Sequence, residues 1–316
     1  TITIPDNFTE APILKLLYNS CISSLNTGNG LKILPEGISR NITQVTLGSN
    51  VTKVEAEFPE AYIVLSNNAT PPIITEKTFP KCMFDNGAEG VVVLLNANDQ
   101  KAYSKAKVWE GMQMSNQSNQ VAVQVSAPGS IGTDLALGLR MPVAKVVGLT
   151  VSGEINEQDI MQMNKNMMSL LYLDLSDAIV DNIPDDAFNG KQQLLSLVLP
   201  KTTKVVGNSA FKGCSGIEEL QMPMDVTEIG DEAFTGTNIR SMDFNYALKK
   251  IGNRAFANTP LKEISFQNKV ESIGNEAFKG YTSLTSVTIP GSVTTIGDDA
   301  FCWCESVTWV GIGGGG

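Results

Sequence analysis

Two kinds of residue in this chain have the types and spacing to do chemistry: adjacent carboxylates and thiols. Asp185 with Asp186 and Asp298 with Asp299 are the pairs that would be asked to act as acid and base on a glycosidic bond, or to converge on a calcium ion. Both pairs stand immediately ahead of an Ala-Phe, where Asn208/Ser209, Asp231/Glu232, Asn253/Arg254 and Asn275/Glu276 stand elsewhere in the chain. Capping of a short helical turn explains that slot better than a converging carboxylate site. The five cysteines, Cys21, Cys82, Cys214, Cys302 and Cys304, are odd in number and contain no C-x-x-C. Cys214 and Cys304 follow a recurring Phe by three residues, in a slot filled by Thr237, Thr259 and Tyr281 in other turns, so they read as small packing residues. Four turns separate them, roughly 20 Å at ~4.8 Å per strand, far beyond the ~7 Å a disulfide spans. The chain has no histidine, which removes Ser-His-Asp and Cys-His nucleophiles, His metal ligands and His pH switches together. No EF-hand, P-loop or G-x-G-x-x-G stands at a strand-to-helix turn, and Gly28 and Gly30 lack the glycine that would follow them. The expectation is a protein without catalytic residues, metal ligands or cofactor.

What positions these residues is a repeat. Phe188, Phe211, Phe234, Phe256, Phe278 and Phe301 recur every 22 or 23 residues, the signature of a solenoid. In the turn Leu284 to Phe301, Leu284, Val287 and Ile289 alternate as a strand does and point inward. Pro290, Gly291 and Ser292 break the strand, and Val293 and Ile296 supply a second inward pair. Gly297 then opens a short helical turn ending at Ala300 and Phe301. The same grammar recurs at Leu261 to Phe278, Ile239 to Phe256, Ile217 to Phe234 and Leu194 to Phe211. One turn cannot cover its own apolar face, so stacking must bury it. Each Phe or Leu so buried contributes roughly 1.5–3 kcal/mol.

The I-G-x-x-A-F core joined to L-x-x-L-x-[IL]-P resembles the BspA-type leucine-rich repeats of surface proteins of anaerobic bacteria, over Leu170 to Ile312. The resemblance implies an α/β-type repeat solenoid, a β-rich leucine-rich-repeat stack of short parallel strands and short helical turns.

Taken in order, residues 1–111 read as degenerate leucine-rich repeats with a terminal cap. Ile42, Val45, Leu47, Val51, Val54 and Phe58 keep the repeat spacing. Residues 11–19 read as a short helix, Val91 to Asn96 as a buried strand, and Lys101 to Trp109 as a helix whose Ala102, Ala106 and Trp109 share a face. Residues 112–120, MQMSNQSNQ, are polar and uncharged and read as a linker. Residues 121–176 read as the amino-terminal cap of a second stack: a strand over 121–126, a turn over 129–138, a strand, and a helix with Asn156 as N-cap and Ile160, Met163 and Met167 inward. Residues 177–316 are the regular repeats. The opening TITIPDNF is similar to VTIPGSV, and Val310 and Ile312 run into GGGG without a closing cap, which points to a longer natural protein or an added tail.

A formal charge of −10 with a pI near 4.7 speaks against nucleic acid and against anionic membrane surfaces. No apolar run approaches the ~20 residues of a transmembrane helix. With the inward positions assigned, an outward stripe remains on the main strand ladder, mildly acidic with an aromatic near each end. Its contact candidates are Tyr172, Asp174, Glu219, Gln221, Asp243, Glu263 and Trp309, since such ladders present extended surfaces and aromatics anchor interfaces. The resemblance implies a non-enzymatic cell-surface or secreted binding protein, outer-membrane anchored or released, engaged in recognition or adhesion with a host matrix or envelope protein. Its alternative is a carbohydrate-binding or accessory lipoprotein component of an outer-membrane glycan-uptake or assembly complex. That alternative requires Trp109, Trp303, Trp309 and Tyr172 to be exposed; buried Trp109 and Trp303 would remove most of the case for a glycan.

Overall fold

A computed structural model describes residues 2–8, 24–38, 41–59, 61, 63–75, 77–79, 92–95, 103, 105, 106, 114–116, 119–139, 142–242, 244, 246–267, 269–281 and 284–313. The fold is a β-rich repeat solenoid whose described strands pair in parallel from one turn of chain to the next. It divides into two compact units, Thr1–Gln120 with Ala144–Val147, and Val121–Val143 with Gly148–Gly316.

In the first unit, strands β1 (Ile2–Thr3), β2 (Ser24–Asn26), β4 (Gln44–Leu47), β6 (Ile63–Ser66), β7 (Val92–Leu95) and β8 (Met114–Asn116) form one sheet in that order. Between them β3 (Ile33–Leu34) pairs with β5 (Lys53–Val54). The repeat spacing does what it promised: Ile42, Val45, Leu47, Val51, Val54 and Phe58 are all buried, and the Phe58 ring stacks on Phe79 at 5.5 Å. Met114–Asn116, read from sequence as linker, is instead strand β8, paired with β7. The segment carries no charge, Pro or Gly, so nothing prevents its backbone from extending along an open sheet edge. The helix expected over 11–19 lies outside the described residues, as do Ala102 and Trp109 of the helix expected over 101–109, where only 103, 105 and 106 are described.

The second unit opens with β9 (Gln120–Gln124), α1 (Ile131–Gly138), β10 (Gly148–Glu154), α2 (Glu157–Asn166) and β11 (Tyr172–Ile179). Helix α1 occupies the stretch read as a turn. Its start is held from elsewhere in the fold: the fully buried Asp159 carboxylate accepts from the Ile131 and Gly129 backbone N–H groups at 2.9 and 2.7 Å. The same carboxylate accepts from Asn156 N–H at 3.0 Å, completing the capping box of α2. Ile160, Met163 and Met167 are buried as the 3.6-residue period requires.

The repeats then run as two ladders. The inner-pair strands β12 (Asn182–Ile183), β14 (Val205–Val206), β15 (Glu228–Ile229), β16 (Lys250–Ile251), β17 (Ser272–Ile273) and β19 (Thr295–Ile296) form one continuous parallel sheet. The main ladder joins β11 to β13 (Ser196–Val198) and β18 (Ser286–Ile289) to β20 (Trp309–Ile312). Among the described residues between β13 and β18 it is joined by single bridges, Glu219 with Ser241 and Ser265 with Thr288. Five of the six repeat phenylalanines are fully buried, and neighbouring rings stack 5.2–5.8 Å apart and near parallel from Phe188 to Phe301. Phe301 is half-buried and Ile296, expected inward, is 48% exposed, because no described turn stacks on them.

The segment before each Phe is not a helical turn. Alternate N–H groups leave the local spiral for the next turn of the solenoid: Thr235 N–H donates to Glu232 O, but Glu232 and Phe234 donate to Asn253 O and Ala255 O. The second residue of each pair is left-handed, with φ of 51–56° at Asp186, Ser209, Glu232, Arg254, Glu276 and Asp299, which no α-helix accommodates. The first residue builds a side-chain ladder. Asn208 N–H donates to Asp185 Oδ1, Asp231 N–H to Asn208 Oδ1, Asn253 N–H to Asp231 Oδ1, Asn275 N–H to Asn253 Oδ1 and Asp298 N–H to Asn275 Oδ1, at 2.6–2.8 Å. A Cβ on Gly230 would come within 2.7 Å of the Asn208 and Gly207 backbone, so the glycine before each ladder residue from Asn208 onward is what lets successive turns approach.

Candidate functional site

Glu219, Gln221, Ser241, Glu263, Ser265, Ser286, Thr288 and Trp309 are exposed, Tyr172 is 43% exposed, and Asp174 is half-buried. Tyr172 lies beside Ser196 in register and Trp309 beside Ser286. Asp174 is partly engaged within its own strand, accepting from Ser176 N–H at 2.9 Å. Asp243 lies outside the described residues.

These candidates do not meet at one point. The structure draws Glu219 and Gln221 together with Ser241 around a groove of about 520 Å³, while Tyr172, Asp174, Glu263 and Trp309 are not among its walls. The groove sits where, among the described residues, the main ladder is joined by single bridges. Met222, Met242 and Phe244 close the floor, all under 10% exposed, and Met224 and Tyr246 stand beside it 65% and 64% exposed. A thioether that adapts its shape and an aromatic with a polar tip, rimmed by a carboxylate and amides, make an amphipathic recess suited to a chain with alternating apolar and polar groups.

Sequence reasoning missed Met224 and Tyr246. Their signal was there: two residues past the strand, the equivalent positions hold Lys201, Asn268 and Gly291, so two apolar side chains in adjacent turns depart from an otherwise polar or turn-forming slot.

The thiols are packing groups. Cys214 is buried and donates to Phe188 O at 3.0 Å; Cys304 makes the same contact to Phe278 O at 3.3 Å, half-buried. Burial pushes the Cys214 thiol up to about 12, so it is not a nucleophile at neutral pH. One described group of potential metal ligands comes together, Glu276, Asp299 and Cys302. The Glu276 carboxylate already serves Arg254 at 2.5 Å and Lys279 at 2.6 Å; these two cations hold it below the ordinary carboxylate range, Lys279 foremost. It has no oxygen free of a cation to give to a metal.

Residues 181–308 match the BspA type leucine rich repeat region, in six copies. No curated protein matches the chain. Among solved structures, a leucine-rich repeat protein from Bacteroides ovatus is similar at 14% identity and a TM-score of 0.43, covering 92% of this chain and 63% of that one. A leucine rich cell surface protein from Faecalibacterium prausnitzii is similar at 16% identity and a TM-score of 0.32, covering 99% and 87%. The pneumococcal vaccine antigen PcpA is similar at 14% identity and a TM-score of 0.31, covering 92% and 62%. This chain spans less than two thirds of the first structure's length.

Proposed function

We propose that this chain, in which residues 181–308 are a BspA-type leucine-rich repeat region, is a non-enzymatic surface or secreted recognition protein that docks an extended segment of a partner protein on the main strand ladder. The observation that carries the reading is the groove between Glu219, Gln221, Met224 and Tyr246. It combines exposed apolar anchors with polar rim groups at a stretch of the ladder that, among the described residues, is joined by single bridges. The acidic rim and the formal charge of −10 favour a segment in which a Lys or Arg flanks an apolar residue. Leucine-rich-repeat solenoids use such faces for long partners because each turn adds one row of contacts at a fixed spacing. Among the described residues no helix is long and apolar enough to cross a membrane.

The test is a mild-detergent pull-down from the producing cells with the wild-type chain and with a Met224→Asp/Tyr246→Ala variant. Both side chains are largely exposed, so stability should change by no more than about 0.5 kcal/mol. A stoichiometric protein partner held by the wild type and lost by the variant is the expected result. A partner held equally by both would place recognition elsewhere, and the absence of any protein partner would end the reading.

A further inference from the structure

The side of the solenoid that carries the repeat phenylalanines' following turns holds a second recess, of about 390 Å³, ending on Trp303. In each other turn the equivalent slot holds a residue that tolerates left-handed backbone: Gly190, Gly213, Gly236, Asn258 and Gly280, with φ of +57 to +86°. Trp303 adopts φ +58° in the same slot, where a bulky side chain is an outlier, and its indole is 70% exposed. Core packing therefore does not explain it. The Lys279 ammonium lies over the ring, 4.7 Å from its centroid, and both residues line the recess. Outliers of this kind, held in place by surrounding structure, collect at ligand clamps.

The other walls select the ligand chemistry. Lys212 is paired with Glu232, Arg254 with Glu276 and, at 3.7 Å, with Glu232, and Lys279 with Glu276. Each cation is already paired, three cations sharing two carboxylates, so an anion would have to compete with a carboxylate that is already in place. What the row offers is donors and acceptors side by side in fixed positions, joined by the Thr235 hydroxyl and the Asn258 amide. Adjacent hydroxyls on a ring use such paired donors and acceptors, and the apolar face of the same ring stacks on an indole. Because the side chains are tied to one another, little ordering is lost on binding.

We propose that this recess, from Lys212 to Trp303, is a binding site for a neutral saccharide, with Trp303 as its stacking platform. It lies apart from the ladder groove and does not depend on the protein partner argued above.

The experiment is calorimetric titration of the whole chain with cellohexaose, xylohexaose, mannohexaose and chitohexaose, and with hexagalacturonate as the charged comparison. Trp303→Gly restores the residue of the neighbouring turns, so the fold should be kept and its melting midpoint unchanged or raised. The expected result is saturable binding of at least one neutral probe, insensitive to salt, weakened at least tenfold by Trp303→Gly and by Arg254→Met, and unaffected by Met224→Asp/Tyr246→Ala. A Trp303→Gly variant that binds as well as the wild type overturns the proposal. So does a wild type that binds none of the neutral probes at millimolar concentration, or that binds only hexagalacturonate with a steep salt dependence. A lowered midpoint in Trp303→Gly with unchanged titrations would make the indole structural.

Discussion

Truncating Phe234 to Ala tests the stacking that holds the repeats together. Phe234 is fully buried, with its ring 5.3 Å from Phe211 on one side and 5.2 Å from Phe256 on the other. Truncating a buried Phe costs ~3–5 kcal/mol through lost transfer energy and the cavity left behind. Each offset stack adds ~0.5–1.5 kcal/mol beyond area, which places Phe234→Ala in the upper part of that range, about 4–5 kcal/mol. Phe301 has one stacked neighbour, Phe278 at 5.3 Å, and is half-buried, so Phe301→Ala should cost about 2 kcal/mol. In a solenoid each repeat leans only on its neighbours, so the loss at Phe234 should also be local, releasing the turns on either side first. Hydrogen-exchange mass spectrometry across a urea series reads those peptides separately from the rest of the chain. Equal costs for the two variants, or uniform loss of protection over the second unit at Phe234→Ala, would refute the nearest-neighbour account.

Two further outcomes follow from the same turns. Asp231 accepts from Asn253 N–H at 2.7 Å and from its side-chain amide at 3.1 Å, both at the surface, so Asp231→Ala should lower stability by about 1–2 kcal/mol. Asp231→Asn, the residue this slot holds at Asn208 and Asn253, should stay within about 0.5 kcal/mol of wild type in the same urea series. The buried Cys214 thiol, raised from 9.0 to about 12, stays protonated in the fold while the unfolded chain ionises. Its contribution is therefore complete below pH 9 and is lost as pH rises toward 12, by about 1.4 kcal/mol per pH unit. Cys214→Thr, the residue of Thr237 and Thr259, should flatten alkaline unfolding by that slope.

The periodic Phe, the buried strand positions and the parallel solenoid were legible because each depends on a spacing repeated many times. Any one turn could be misread, but five cannot share an error. The first unit was legible where its spacing survives, at Ile42 to Phe58, and at the strand read over Val91 to Asn96, which is β7. Residues 114–116 were not, since an uncharged polar strand on a sheet edge differs little from a linker. The described stripe residues other than Asp174 are exposed; Met224 and Tyr246 stand in a slot that other turns give to Lys201 and Gly291, and the repeat pattern itself says nothing about such departures.

By itself the sequence determined which side chains face inward, since a period of two in the strands and of 22–23 in the turns leaves one face to bury, and it excluded histidine chemistry through composition. Tertiary structure decided the rest. Whether Asp231 caps its own turn or the next one depends on which backbone N–H lies 2.7 Å away. The start of α1 depends on Asp159, 28 residues downstream of Ile131. The two recesses exist only because side chains 20 or more residues apart are brought level by stacking, a distance that local propensity cannot encode.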